Sequence, residues 1–313
     1  MGAARYLRGL LDVVDGPDVT AIVNTADDIT LHGLHVSPDL DTCTYTLAGA
    51  INPETGWGLA NETWQAMETV GRYGGIDWFN LGDRDLGTHL YRTQRLSEGA
   101  ELHTVTAEIV AAWDLTLSVL PVTNDRMETR VTVADEGEVG FQEYFVRRKH
   151  DVAVTEVRFA GADDARPAPG VLEAIESADA VVIAPSNPLV SIGPLLAVPG
   201  IRDSLVAVRD RVVAVSPIVG GAALKGPADR MLVELGHEAS VTGVARLYAD
   251  FAAALVIDTV DADAADDIAA AGMTPVVTNT IMSDPAISAA LARTTLATAQ
   301  SVSATDENSQ GSA

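Results

Sequence analysis

A single cysteine, Cys43, is all the thiol this chain of 313 residues carries. No internal disulfide can staple the fold, and a reducing compartment suits it best. Lysine is almost as scarce. Lys149 and Lys225 are the only two, and arginine supplies the rest of 20 basic residues set against 44 acidic ones. The resulting net charge of −24 repels nucleic acid and anionic membrane surfaces, which are gripped through clustered Lys and Arg. A carboxylate-rich, lysine-poor surface is also expected of a halophilic protein, kept hydrated at high salt. Loss of fold at low ionic strength supports that reading, and indifference to salt sinks it. No run approaches the ~18 apolar residues of a membrane span, and the start lacks a charged and then apolar signal pattern. The chain therefore reads as cytoplasmic, with no membrane and no nucleic acid among its partners.

What is present is an alternation of apolar runs and amphipathic stretches. Residues 3–14 read as a helix, with Ala3, Tyr6, Leu7, Leu10, Leu11 and Val14 on one stripe. A doubly wound fold ordinarily places a strand and a glycine turn before its first helix; here only Gly2 stands for such a turn. Strands are expected at 19–23, 115–120, 180–184, 212–216, 254–257 and 275–277. Helices are expected at 41–51, 62–73, 85–96, 105–115, 169–177, 229–235, 241–251, 262–271 and 285–298. Between 128 and 159 the period changes to two, with strands at 129–133, 141–146 and 152–159, which reads as an inserted β-hairpin. The expected fold is therefore α/β: a Rossmann-like open, mostly parallel sheet with helices on both faces, spanning 1–298 with an insertion at about 121–160. The small, polar residues 299–313 read as a disordered tail.

Polar residues gather where the predicted strands end. Asn24-Thr25-Ala26-Asp27-Asp28 follows the first strand, and His32, His35 and Ser37-Pro38-Asp39-Leu40-Asp41-Thr42 follow closely. Ser186 and Asn187 follow another strand, Ser216 a third and Asn279 a fourth. Each stands at a turn into a helix, where backbone N–H groups and the positive helix end favour phosphate. Asp27, Asp28, Asp39 and Asp41 are oxygen ligands of the kind Mg²⁺ takes, one or two at a time; the alternative is that Asp41 caps a helix and Asp39 orders the Pro38 turn. His32 and His35 lack a third ligand at zinc spacing. Arg147-Arg148-Lys149-His150 is the densest positive cluster, either a solvated sheet edge or an arm toward an anionic substrate. The 220–226 stretch is glycine-rich but lacks the Walker spacing. No Ser, His and Asp set stands in a nucleophile-elbow context.

These segments together with Leu81-Gly82-Asp83-Arg84-Asp85, Pro185-Ser186-Asn187-Pro188, Ser191-Ile192-Gly193-Pro194, Ser216-Pro217-Ile218-Val219-Gly220 and Asn279-Thr280-Ile281-Met282 fall in the order of a known family. The chain resembles the 2-phospho-L-lactate transferases, also called phosphoenolpyruvate transferases, of deazaflavin coenzyme F(420) biosynthesis. The resemblance covers nearly all of the chain to about residue 298. It implies transfer of a 2-phospholactyl or phosphoenolpyruvyl group from a diphosphoguanosine donor to the deazaflavin alcohol Fo (7,8-didemethyl-8-hydroxy-5-deazariboflavin), with release of GMP and help from Mg²⁺. It further implies catalytic roles for Asp41 and Asp39, Fo contacts from Asp41 and Asn80, metal contacts from Asp28 and Asp39, and nucleotide contacts from Gly2, Asn24, Ser186, Asn187, Ser216 and Arg148. A homodimer is left open. Relatives of this kind begin with a strand and a Gly-Gly-x-Gly turn, and this chain is expected to start within that turn; a valine codon read as the start is one expectation, which the codons upstream of Met1 test. The competing expectation is a sugar-nucleotide-binding regulator of the same fold, which lacks the Ser-Pro-Asp-Leu-Asp signature.

Overall fold

In the computed structural model, residues 2–134 and 136–310 are described, with side chains to residue 304. The chain forms two compact units, one of Gly16–Pro169 and one of Gly2–Asp15 with the chain from Gly170 onward.

In the first unit, strand Thr20–Val23 runs parallel to Ser118–Pro121, Thr20 beside Ser118 and Val23 beside Pro121. An antiparallel hairpin, Ile29–Leu31 with Leu34–Val36, follows at once. Its two-residue turn places His32 at φ 53° and Gly33 at φ 79°, the left-handed pair that matches the twist of a tight hairpin. Leu31 and Val36 then pack with Met67 and Leu81 in a small apolar cluster. Helices Pro38–Leu47, Gln65–Arg72, Asp85–Ser97 and Leu102–Ala112 complete the α-helical part.

The inserted element is a three-stranded antiparallel sheet in which Glu128–Val133 lies between Gly137–Gly140 and Val154–Ala160. The expected strand at 141–146 is corrected here: the paired arm is Gly137–Gly140, and Glu143–Arg147 is a wide helical turn. The cause is aromatic. Phe141 stacks on Phe145 at 5.5 Å between ring centroids, Phe141 lies 6.2 Å from Tyr144, and Phe145 lies 5.1 Å from His150. Residues spaced by three and four meet on a helix, whereas alternate residues of a strand point to opposite faces.

In the second unit a four-stranded sheet is parallel throughout, in the order Thr274–Thr278, Ala254–Asp258, Val212–Val215, Val181–Ile183. The two inner strands are buried at every position, as apolar runs without alternation require in a sheet covered on both faces. Helix Gly2–Leu11 supplies Tyr6 to a core with Val213, Val215, Val256, Leu291 and Ala292. A Cβ at Gly9 would overlap the backbone of Ser288, so the Gly2–Leu11 and Pro285–Gln310 helices approach closely only because that position is glycine. Gly9→Ala is expected to destabilise the protein by about 1–3 kcal/mol, an overpacking cost readable as a lowered urea midpoint at unchanged slope.

The expected tail at 299–313 is also corrected in its first part. The last helix continues through it, with Ala299 fully buried and Val302 packed on the sheet's core cluster. Alanine has the best helix propensity, and these two side chains add apolar contact. Residues 311–313 lie outside the described residues.

Candidate active site

The aspartates of the first unit converge on Asn24, which ends the Thr20–Val23 strand. Its Oδ1 accepts a hydrogen bond from Ala26 N at 2.9 Å, closing an Asx turn. Its Nδ2 donates to Asp27 Oδ2 at 3.1 Å and to Asp39 Oδ2 at 3.2 Å. Asp28 is held from the hairpin side: Ser37 Oγ donates to its Oδ2 at 2.6 Å, and His35 Nε2 lies 2.9 Å from the same oxygen. The insert is tied to this turn by Gln142 Nε2, which donates to the Asp27 carbonyl at 3.0 Å.

Two oxygens are left over. Asp27 Oδ1 and Asp28 Oδ1 are buried and accept no hydrogen bond of ordinary geometry, although the Thr129 hydroxyl pulls on the Asp27 carboxyl. Burial holds the Asp27 carboxyl well above the usual carboxylate range, and the neighbouring Asp39 charge pushes the same way. Asp28 is raised by burial against the opposing pull of His35, and Asp39 is raised by burial against the Asn24 hydrogen bond. A buried acceptor without a donor is costly, so these oxygens suit a cation or a hydroxyl. Among the described residues no three His, Cys, Asp or Glu side chains stand close enough to enclose an ion. The donor set around these two oxygens is of the kind Mg²⁺ takes, one or two carboxylates at a time with water and phosphate oxygens filling the shell. It does not fit a closed all-protein cage.

Asp41 is placed differently from its neighbours. It is 5% exposed and receives both terminal nitrogens of the buried Arg92: Nη1 donates to Oδ2 at 3.1 Å, and Nη2 donates to Oδ1. His89 Nδ1 lies 3.7 Å from Asp41 Oδ2, while its Nε2 lies 3.3 Å from Asp85 Oδ2. Tyr45 donates to Asp85 Oδ1 at 2.7 Å. Although burial alone would raise Asp85, the His89, Tyr45 and Arg92 interactions hold it below the ordinary value. Asn80 is exposed, next to the buried Leu81.

The strand-end loops of the second unit use many of their polar groups internally. Asn187 Oδ1 accepts from Leu189 N at 2.9 Å, capping the turn that begins at Pro188. Ser216 Oγ accepts from Ile218 N at 3.1 Å and donates to Ile218 O at 2.9 Å. Asp261 accepts Gly220 N at 3.0 Å, and Asp258 Oδ2 accepts Thr280 N at 2.8 Å. Gly2 lies so close to the Pro185 carbonyl that a Cβ there would overlap it, so Gly2 and the 185–187 turn share one place. Two of the expected nucleotide residues belong to the first unit instead. Asn24 is the hub of the aspartates, and Arg148 is paired with Glu136 and, at 2.9 Å, with Glu143.

Two side chains at the aspartates, His89 and Arg92, escaped the sequence reading, and His35 and Ser37 stood in it without their contacts to Asp28. One signal was available. Asp85, His89 and Arg92 recur at i, i+4 and i+7, which puts three ionisable groups on one face of a helix.

Residues 1–295 match the 2-phospho-L-lactate transferase CofD family. A phosphoenolpyruvate transferase of Streptomyces griseus subsp. griseus is 47% identical over 309 residues, covering 97% of each chain. One of Kitasatospora aureofaciens is 47% identical over 308 residues, covering 96% of each. Among solved structures, a UPF0052-family protein of Bacillus halodurans superposes with a TM-score of 0.59 at 17% identity, over 95% of this chain and 96% of that one; at that identity the likeness speaks for the α/β fold alone. The match over nearly the whole length and the identity to these relatives show that this chain belongs to the 2-phospho-L-lactate transferase CofD family, and is a transferase of that type.

Proposed function

We propose that the protein transfers a phosphoenolpyruvyl group from a diphosphoguanosine donor to the terminal ribityl hydroxyl of Fo, releasing GMP. The choice of the enolpyruvyl over the 2-phospholactyl donor follows the relatives named phosphoenolpyruvate transferases. The observation that carries the reading is the pair of buried, unpartnered carboxylate oxygens on Asp27 and Asp28. A cluster of that kind is suited to a step in which positioning and charge neutralisation do most of the work.

In this reading the acceptor hydroxyl oxygen bonds to the phosphorus that bears the three-carbon acid, and the bond from that phosphorus to the GMP oxygen breaks. Asp39, one of whose oxygens is held by Asn24, takes the hydroxyl proton as the new bond to phosphorus forms. Asp41 and Asn80 hold Fo. Asp28 and Asp39 would hold Mg²⁺, with Asp27 beside them, and the ion would supply neutralisation of the phosphoryl oxygens. Gly2, Ser186, Asn187 and Ser216 hold the guanosine diphosphate part through backbone and side-chain donors. Asn24 orients Asp27 and Asp39, and Arg148 would have to leave Glu136 and Glu143 to meet an anion.

The test is incubation with Fo, Mg²⁺ and each of the two donors, following GMP release and the mass of the deazaflavin product. GMP release that needs Fo, together with a product heavier by the enolpyruvyl phosphate group, is the expected result. Absence of GMP with either donor would defeat the transferase reading. Release with the lactyl donor alone would overturn the choice of donor.

A further inference from the structure

Helix Asp85–Ser97 turns a charged stripe inward beside its half-buried Leu86. Its charged residues Asp85, His89 and Arg92 are 7%, 1% and 1% exposed, while Leu90 and Tyr91 on the same helix are 58% and 42% exposed. Turning the helix to bury the apolar pair would be the cheaper arrangement for packing alone, because burying a guanidinium and a carboxylate carries a large desolvation cost. The cost is met by specific partners. Arg92 forks onto both oxygens of Asp41, and His89 stands between Asp41 and Asp85. Tyr45, fully buried, closes the far end on Asp85. Arg92 also feels the charge of Asp28, so this one buried guanidinium serves as counter-charge to carboxylates on both sides of the hairpin.

We propose that Arg92 is a positioning residue for the acceptor side of the transfer: its two-pronged bond fixes the orientation of the Asp41 carboxylate, with Asp85 and His89 bracing the stripe from behind. The proposal rests on the reading of Asp41 as an acceptor contact. A planar fork sets the plane of a carboxylate as a lysine ammonium does not, and a misplacement of about 1 Å in a positioning group can cost on the order of 100-fold in rate.

The experiment compares wild type, Arg92→Lys, Asp41→Asn and the double variant. Fo is varied at saturating donor and the donor at saturating Fo, with rates expressed per folded molecule from unfolding curves. Arg92→Lys is expected to lower kcat/KM for Fo by about 10- to 100-fold while the donor KM stays near wild type. The double variant should be no worse than the poorer single one, because residues acting as a unit are not additive. A merely structural role predicts instead fewer folded molecules with unchanged kinetics per molecule. Wild-type kcat/KM for Fo in folded Arg92→Lys, or losses that multiply in the double variant, overturn the assignment. If Arg92→Lys does not fold, His89→Gln carries the test. It leaves the ion pair in place and should lower the same Fo parameter by a smaller factor, and no change there overturns the role of the stripe. Wild-type rates in Asp41→Asn would defeat the reading of Asp41 itself, whereas wild-type rates in Arg92→Lys beside an inactive Asp41→Asn would defeat only the Arg92 assignment.

Discussion

Replacing Asp41 by alanine should destabilise the protein by about 3–5 kcal/mol, the usual cost of leaving one member of a buried ion pair without its partner. Arg92 has 2% of its side chain exposed, so its charge cannot reach water once the carboxylate is gone, and His89 loses a neighbour on the same side. Asp41→Asn should cost less, since the amide oxygen still accepts from one guanidinium nitrogen, and Arg92→Met with Asp41→Leu should recover much of the loss by replacing both charges with apolar volume. Urea denaturation of the four proteins checks this. A loss below about 1 kcal/mol for Asp41→Ala would mean that Arg92 finds another partner, and one candidate is Asp28, whose charge it already feels and whose Oδ1 is unpartnered. Loss of transfer in Asp41→Ala therefore says little about chemistry unless folding is measured alongside it. The isosteric Asn variant is the informative one.

How far the sequence reached depended on the range of the interaction behind each feature. The strands Val212–Val215 and Ala254–Asp258 were legible because burial on both faces writes a continuous apolar run. The turn into a helix at Ser186 and Asn187 was legible because it is local: the bond from Leu189 N to Asn187 spans two residues. Hairpin Ile29–Val36 was not, since its strands are three residues each and its turn uses His32 in the left-handed region, where glycine or asparagine would have been the signal. The turn at Glu143–Arg147 hid behind an alternating pattern that its aromatic contacts override. At the site, the crowding of Asn24, Asp27 and Asp28 was evident from their adjacency. The contacts that give each carboxylate its character were not: Asp39 reaches Asn24 across 15 residues and Arg92 reaches Asp41 across 51. Local chemistry marks a site in sequence, but the counter-charges that tune it arrive through the tertiary fold.

Asp27 is where stability and the proposed activity should oppose each other most openly. Its carboxyl is raised in the folded protein, chiefly by burial, so between the ordinary carboxylate pKa and the raised one the unfolded chain has lost its proton while the folded chain keeps it. Stability therefore falls as pH rises through that window, and above it the full penalty is present. Asp27→Asn removes the ionisation and keeps an oxygen for the Asn24 amide, which bonds Asp27 Oδ2 in the native protein. At neutral pH the variant should be more stable than wild type by on the order of 1 kcal/mol, and the gain should vanish near pH 3.5, where both forms are neutral. Magnesium should act in the opposite sense. An ion that binds the folded state at one hundred times its Kd adds about 2.7 kcal/mol, so Mg²⁺ should raise the melting temperature of wild type. It should raise that of Asp27→Asn or Asp28→Asn much less. Transfer to Fo should drop in both variants by about 100- to 1000-fold, as expected when a group that stabilises developing charge is lost. Thermal melts at pH 3.5 and 7.5, with and without Mg²⁺, run beside the GMP-release assay, test all of this together. A variant that melts below wild type at pH 7.5 without Mg²⁺ would show that the buried carboxylate is held by a hydrogen bond stronger than its desolvation, and a variant that transfers at the wild-type rate would remove Asp27 and Asp28 from the phosphoryl step.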